Sequence, residues 1–249
     1  SSTSGCKPVM GVMDERLGFQ ELINFASNDY LNLSQHPRVI KKVQDIVQEY
    51  GIGSGGAPLL NGTNVVSEKL EQKIAACKAC EAAMVLSSGY GANIGVINAL
   101  MGPKDLVIYD MYAHASLIDG GKGANKKFFL HNDPSSLEKV LSDAVHQYMN
   151  KIVVLDGVYS MDGDIARLDK IVEIAKHYGA WILVDEAHAT GVIGKTGKGT
   201  MEHWNMEGKV DIVTGTFSKA VGVIGGYVAG SKKLINYLNW AMRSYMFST

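Results

Sequence analysis

Apolar positions along the chain change period several times, and each change marks an element. From Pro37 to Tyr50, residues Val39, Val43, Ile46, Val47 and Tyr50 recur at helical spacing and predict an amphipathic helix. Val65 to Cys77 predicts another, with Val66, Leu70, Ile74 and Cys77 on one face. Beyond it, short apolar runs alternate with helical patterns. MVLSS (Met84–Ser88), LVIYD (Leu106–Asp110), IVVLDG (Ile152–Gly157), WILVDEAH (Trp181–His188), DIVTGTFSK and GGYVAG read as strands. A helix is expected from about Gly91, and another with Leu168, Ile171, Val172 and Ala175 on one face. Near-continuous apolar strands separated by helices predict a largely parallel sheet covered on both faces.

That architecture decides where to look for chemistry, because ligands of such sheets lie beyond the carboxyl ends of the strands. The residues following the apolar runs are Ser88-Gly89-Tyr90, Asp110 with the later His114, Asp156 to Ser160, Asp185 to His188, and Thr216 to Lys219. Asp185 follows the run Ile182-Leu183-Val184, so it is either the partner of a positive group such as a protonated pyridine nitrogen or a buried loop cap. His188 could bond the same ligand or begin the next loop. Lys219 sits among small and hydroxyl residues, where desolvation would lower its pKa and favour Schiff-base chemistry with an aldehyde; the plainer alternative is a solvated loop lysine. Thr216 and Ser218 offer hydroxyls to a phosphate, and SSGYG offers the N–H groups of a helix start. A lysine, a carboxylate and a phosphate cradle together describe pyridoxal phosphate.

Composition narrows the alternatives. The chain has 249 residues, 46% hydrophobic and 20% charged, enough for one large core. A net charge of -1 gives no reason to expect a nucleic-acid or acidic-membrane partner. No apolar run reaches the ~18 residues of a membrane span. Three cysteines do not make a disulfide framework, which points to a reducing, cytoplasmic setting. Cys77-Lys78-Ala79-Cys80 closes a helix instead of opening one after a strand, so it reads as core or surface cysteines and not as a redox motif. Gly51-Ile52-Gly53-Ser54-Gly55-Gly56 fits G-x-G-x-x-G, but a helix precedes it and Pro58 follows, so it reads as a loop near the site and not a dinucleotide fingerprint. His36, His131, His146, His177 and His203 lack metal-ligand spacing and read as surface or loop histidines, with no metal expected. Met242, Tyr245 and Met246 read as core.

The ordered stretches NFASNDYLNLS, GIGSGGAPLLNGT, SSGYGAN, HASLIDG, DGVYSMDGDIARL, VDEAHATGVIG, GTFSKAVGVIGGYV and RSYMFST resemble the α-oxoamine synthases, a family of pyridoxal-phosphate enzymes. They run from Asn24 to the C-terminus. The resemblance implies the aspartate aminotransferase-like fold type I: an α/β large domain with a mostly parallel mixed sheet flanked by helices. It implies an N-terminal arm over 1–36 and a cofactor-binding large domain over 37–249. Relatives continue past the MFST segment into a smaller domain with a carboxylate-gripping arginine, so this chain is expected to be the large domain of a longer enzyme.

By the same resemblance, Lys219 would carry the Schiff base to pyridoxal 5'-phosphate. Asp185 would pair with the pyridine nitrogen, and His188 with the ring hydroxyl. His114 would stack on the ring and Ser160 lie near its hydroxyl. Ser88, Gly89 and Tyr90 with Thr216 and Ser218 would hold the phosphate. Asn28 would approach the amino-acid carboxylate, and Thr249 would reach the phosphate across a homodimer interface. The implied reaction condenses an amino acid with an acyl-CoA, usually with decarboxylation, to a 2-amino ketone. LLNGT, DGVYSMDGDIA and GTFSKAVGVIGGYV resemble the serine palmitoyltransferase branch, and a serine palmitoyltransferase-like enzyme is the favoured expectation. SNDYL, GIGSGG and HATGVIG favour the 8-amino-7-oxononanoate synthase branch, and glycine C-acetyltransferase is a further member. An aminotransferase or aldolase on the same fold, or a silent partner subunit, are the competing readings. Asn32, Ser67, Ala113 and Ala57-Pro58 depart from the family pattern around the substrate mouth; Asn32 stands where a glycine is common and tolerates a left-handed backbone.

Overall fold

The computed structural model describes residues 5–248. A hairpin of β1 (Val9–Asp14) and β2 (Gly18–Ile23) precedes α1 (Pro37–Tyr50) and α2 (Val65–Cys77). Then follow β3 (Ala82–Leu86), α3 (Gly89–Leu100), β4 (Leu106–Asp110), α4 (Ala115–Gly120), β5 (Asn125–Phe129) and α5 (Pro134–Asp143). The remainder comprises β6 (Lys151–Asp156), α6 (Leu168–His177), β7 (Trp181–Asp185), α7 (Thr200–His203), β8 (Ile212–Thr216), β9 (Gly226–Gly230), α8 (Lys232–Ala241) and α9 (Arg243–Met246).

Seven strands form one sheet in the order β3-β9-β8-β7-β6-β4-β5. Pairing is parallel except along β9, which runs antiparallel to both β3 and β8. The expectation of a mostly parallel mixed sheet is met. Strand alternation sorts the core into two layers. Leu106, Ile108, Val153, Leu155, Ile182 and Val184 face α2, α5 and α6. Val107, Tyr109, Ile152, Val154, Leu183 and Ile212 face α3 and α8.

The helices predicted at Pro37–Tyr50 and Val65–Cys77 form with those bounds. Each has a cap that explains its start: His36 accepts from the N–H of Arg38, and Asn64 accepts from the N–H groups of Val66 and Ser67. Amphipathic as α1 is, it buries no residue among those described; Val43, Val47 and Tyr50 stay exposed. Strands predicted to run to Ser88 and His188 stop at Leu86 and Asp185, because the chain turns into the α3 cap and the following loop. The hairpin, β5, α4, α5 and α8 are elements the sequence reading does not predict, although Leu137 and Leu141 of α5 and Ile235 and Leu238 of α8 recur at helical spacing and are buried. Asn32 adopts φ 52°, the left-handed conformation expected of it. The G-x-G-x-x-G segment follows α1 as a loop, as expected, and Cys77 and Cys80 are free thiols at the end of α2.

One buried ion pair ties these layers together. Lys78, just past α2, is 2% exposed and bonds Glu186 at 3.1 Å, a residue with no exposure. Its ammonium also donates to Thr190 Oγ1 at 2.7 Å and to the Lys198 carbonyl at 2.6 Å. Burial acts to discharge Lys78, but the Tyr227 hydroxyl and the Glu186 carboxylate outweigh it and hold its pKa above the usual value. Glu186 further accepts from the Thr200 N–H through both oxygens, at 3.1 Å each. Removing one partner strands a buried charge. Lys78→Met is therefore expected to destabilise the protein by about 3–5 kcal/mol. Lys78→Met with Glu186→Gln, which keeps an acceptor for Thr200, should recover more than half of that. Urea unfolding of the two variants checks this, and a double variant no more stable than the single one refutes it.

Candidate active site

The carboxyl ends of β7, β6 and β8 meet the N-terminus of α3 around a cleft of about 300 Å³. Strand register sets the acids: Asp156 of β6 and Asp185 of β7 are paired neighbours, each 5% exposed. Asp185 accepts from the Ala187 N–H at 2.9 Å and from Asn93 Nδ2 at 2.7 Å. Asp156 accepts from the His114 N–H at 2.9 Å. Burial, then the neighbouring Asp185, push the Asp156 carboxyl well above the carboxylate range, against the pull of the His114 N–H and Lys219.

Lys219 projects from the loop after β8, partly buried, and its Nζ lies 2.7 Å from His188 Nε2. On the other side of that imidazole, Tyr30 Oη lies 2.7 Å from Nδ1. Burial lowers the Lys219 pKa, and Asp185 and Asp156 only partly offset it. Burial first, then Lys219, push His188 down to about 4.

The opposite wall is built for an anion. Ser88 caps α3 by accepting from the Gly91 N–H at 3.0 Å, leaving the first N–H groups of the helix turned to the cleft. A Cβ on Gly89 would lie 2.9 Å from Thr216 Cβ, and one on Gly226 2.4 Å from the Gly89 nitrogen, so only glycine lets these segments approach. Thr216 Oγ1 and Ser218 Oγ, 2.8 Å apart, add hydroxyls beside that wall. His114 caps α4 and faces Tyr90 edge-on at 6.3 Å.

Nine residues expected from the sequence line this one cleft: Ser88, Gly89, Tyr90, His114, Asp185, His188, Thr216, Ser218 and Lys219. Two expected residues do not line it, and a third falls outside the described residues. Ser160 is exposed and lines a neighbouring hollow with Tyr112, Tyr159, Met161 and Asp162, because the turn after β6 carries it past the cleft. Asn28 lies beyond the lining and accepts from Tyr30 Oη at 3.3 Å. Thr249 falls outside the described residues.

Sequence reasoning missed Tyr30, Asn93, Ser116 and the role of Asp156. Asn93 lies four residues past Gly89 on the predicted helix, and that spacing was the available signal. His131 also differs from expectation. It is half-buried, with Nδ1 2.9 Å from Asp110 and Nε2 3.1 Å from Asp164, under the stacked ring of Tyr112. It braces the turn after β4 that carries His114.

A family model, aminotransferase class I and II, matches residues 20–249. The chain belongs to the aminotransferase class I and II family. Within that family, 8-amino-7-oxononanoate synthase 1 of Bacillus subtilis (strain 168) is 47% identical over 232 residues, 92% of this chain and 59% of the relative. A solved serine palmitoyltransferase from S. paucimobilis, with bound PLP-myriocin aldimine, superposes with a TM-score of 0.88 at 36% identity, covering 96% of this chain and 64% of that one. The 8-amino-7-oxononanoate synthase of Francisella tularensis superposes at 0.77 with 28% identity, covering 90% of this chain and 62% of that one. Both kinds of relative are α-oxoamine synthases, the resemblance the motifs carry. This aminotransferase-family chain spans about three fifths of the length of these relatives.

The depressed His188 pKa has a consequence for stability. An unfolded histidine titrates near ~6.5, so between about 4 and ~6.5 the unfolded chain binds the extra proton. Stability should therefore fall as pH drops through that window. His188→Gln should flatten this part of the pH–stability curve, and nitrogen NMR should find the His188 ring neutral at pH 5.5. A His188 midpoint at the unperturbed value would overturn the assignment.

Proposed function

We propose that the chain is the cofactor-binding part of a pyridoxal 5'-phosphate-dependent C-acyltransferase that condenses an amino acid with an acyl-CoA thioester. The observation that carries this reading is the desolvated Lys219 amine, 2.7 Å from His188, in a cleft that also holds Asp185 and the α3 N-terminus. The residues fit the cofactor. The amine can bond its aldehyde, Asp185 can meet its ring nitrogen, and the α3 N–H groups with Thr216 and Ser218 can meet its phosphate. The Asn93 Oδ1 atom, buried without a partner in the cleft wall, leaves an acceptor for a bound group.

When bound, the cofactor supplies an electron sink for charge developing at the amino-acid Cα. The chain's own residues do the rest. Lys219 anchors the aldehyde and, once displaced by substrate, carries the Cα proton. Asp185 keeps the ring nitrogen protonated, and His188 lies where a ring hydroxyl can be bonded. His114 covers one face of the cleft against water. Ser160 and Asn28 lie outside the cleft lining; by the family resemblance Asn28 would orient the amino-acid carboxylate and Ser160 would lie near the ring hydroxyl. Cα would bond the thioester carbonyl carbon as the C–S bond breaks and CoA leaves; loss of the carboxylate as CO2 and return of a proton to Cα from Lys219 would then give the 2-amino ketone.

Within this class, identity of 47% to a named 8-amino-7-oxononanoate synthase supports that branch in place of the expected serine palmitoyltransferase-like one, while among solved structures the serine palmitoyltransferases stand at 36–38% identity and an 8-amino-7-oxononanoate synthase at 28%. Residues 1–36 would serve as an arm and 37–249 as the cofactor domain, working in a homodimer whose Thr249 segment completes the neighbouring site. Free thiols at Cys6, Cys77 and Cys80 suit a reducing cytoplasm. Among the described residues no helix is long and apolar enough to cross a membrane.

The test is the visible absorbance of the full chain with pyridoxal phosphate, before and after borohydride. A band that borohydride fixes onto Lys219, and that Lys219→Ala abolishes, is expected. Screening amino acids against acyl-CoAs of increasing chain length then separates the branches. Absence of the band in a folded full-length enzyme would favour a silent partner subunit, and amino-group exchange with a keto acid but no acyl transfer would favour an aminotransferase.

A further inference from the structure

We propose that Asn93 is a positioning residue that sets both the rotamer of Asp185 and the tautomer of His114 through one chain of hydrogen bonds. This inference rests on the pyridoxal-phosphate reading above. Asn93 is 2% exposed and Ser116 has no exposure, so neither is shaped by solvent. Asn93 Nδ2 donates one hydrogen to Asp185 Oδ2 at 2.7 Å and the other to Ser116 Oγ at 2.9 Å. Ser116 Oγ in turn lies 2.7 Å from His114 Nδ1.

Donor counting fixes the direction of this chain. An amide nitrogen has two hydrogens and no acceptor site, so both contacts of Nδ2 are donations. The Ser116 oxygen therefore accepts from Asn93, and its single hydrogen is free for His114 Nδ1. The same Nδ1 accepts from the Ser116 N–H at 3.2 Å. A nitrogen that accepts twice carries no hydrogen, which leaves the ring proton of His114 on Nε2. The reverse orientation of the amide is excluded by charge. It would set Asn93 Oδ1 against the Asp185 carboxylate, acceptor against acceptor, and give Ser116 no donor on that side. The observed orientation leaves Oδ1 without a partner while both donors are used. Donation to Asp185 is thus what holds the amide in place.

Helix geometry explains why this residue has the task. Asn93 is four residues beyond Gly89, on the same face of α3 and about 6 Å further along its axis. The helix whose N-terminus offers N–H groups to the phosphate thus also aims the carboxylate meant for the ring nitrogen. Any shift of α3 would move both contacts together.

The test compares binding of pyridoxal 5'-phosphate with that of its 1-deaza analogue, which has carbon in place of the ring nitrogen. Dissociation constants are measured on the full chain by equilibrium dialysis. Wild type should prefer the natural cofactor by about tenfold or more, the size of coupling between contacting groups. Asn93→Leu should shrink that preference to within about threefold, because Asp185 is no longer aimed. Ser116→Ala should narrow it less and should alter the nitrogen NMR pattern of His114, moving hydrogen onto Nδ1. A purely structural role would weaken both ligands in parallel, and an unchanged preference in either variant overturns the proposal. So does a wild type that binds both ligands equally. If Asn93→Leu does not fold, Ser116→Ala decides alone: an unchanged preference or an unchanged His114 tautomer is the refuting result. A wild type that binds neither ligand would instead overturn the cofactor reading, and this inference with it.

Discussion

The structure depends on how it meets acids at the end of a sheet covered on both faces. Parallel strands packed between helices need apolar side chains along their length, and the first carboxylates can enter only where the sheet opens. Asp156 and Asp185 enter there as paired neighbours in adjacent strands, nearly without water. Two such groups cannot both be charged without donors, and the surroundings supply them unequally. Asp185 receives the Asn93 amide and the Ala187 N–H, while Asp156 receives the His114 N–H and its carboxyl is pushed well above the carboxylate range, chiefly by burial. The α3 helix, the turn that carries His114 and the loop after β7 are all placed by those few hydrogen bonds.

The next residue shows the same constraint on the opposite face. Consecutive strand residues point to opposite sides, so Asp185 and Glu186 cannot share a partner. Asp185 turns to the α3 side and meets Asn93; Glu186 turns to the α2 side and meets Lys78. One acidic dipeptide thus joins the end of α2, the start of α7 and the wall of the cleft. This makes Lys78, more than 100 residues away in sequence from Glu186, a support for the cleft without touching it.

Much of this was legible in the sequence because it was local. Period change marked α1, α2 and six of the seven strands of the main sheet, and the topological rule for such sheets put Lys219, Asp185 and the SSGYG turn at one edge. What was not legible is long-range or weakly patterned. The β5 strand, NKKFF, lies at the sheet edge and has polar residues where the inner strands have apolar ones. Ser160 was assigned to the cleft by motif, but the turn that holds it bends away. Tyr30 reaches His188 across 158 positions, a contact no local spacing encodes. His131 looked like a surface residue because its partners, Asp110 and Asp164, are brought together only by the fold.

The last step concerns the proton count at Lys219. Two cationic groups at 2.7 Å, both partly withdrawn from water, repel each other and each loses hydration. The cleft resolves this by giving up charge on the imidazole first, since His188 lies far below its ordinary pKa while Lys219 keeps some support from Asp185 and Asp156. A neutral His188 can then accept from the Lys219 ammonium or donate to its free amine, and Tyr30 on the other ring nitrogen can reverse its own hydrogen bond to match. Lys219 can therefore lose its proton more readily than a solvated lysine without leaving either partner unbonded. That property is what an amine needs if it is to attack an aldehyde, leave, and return as a base within one turnover.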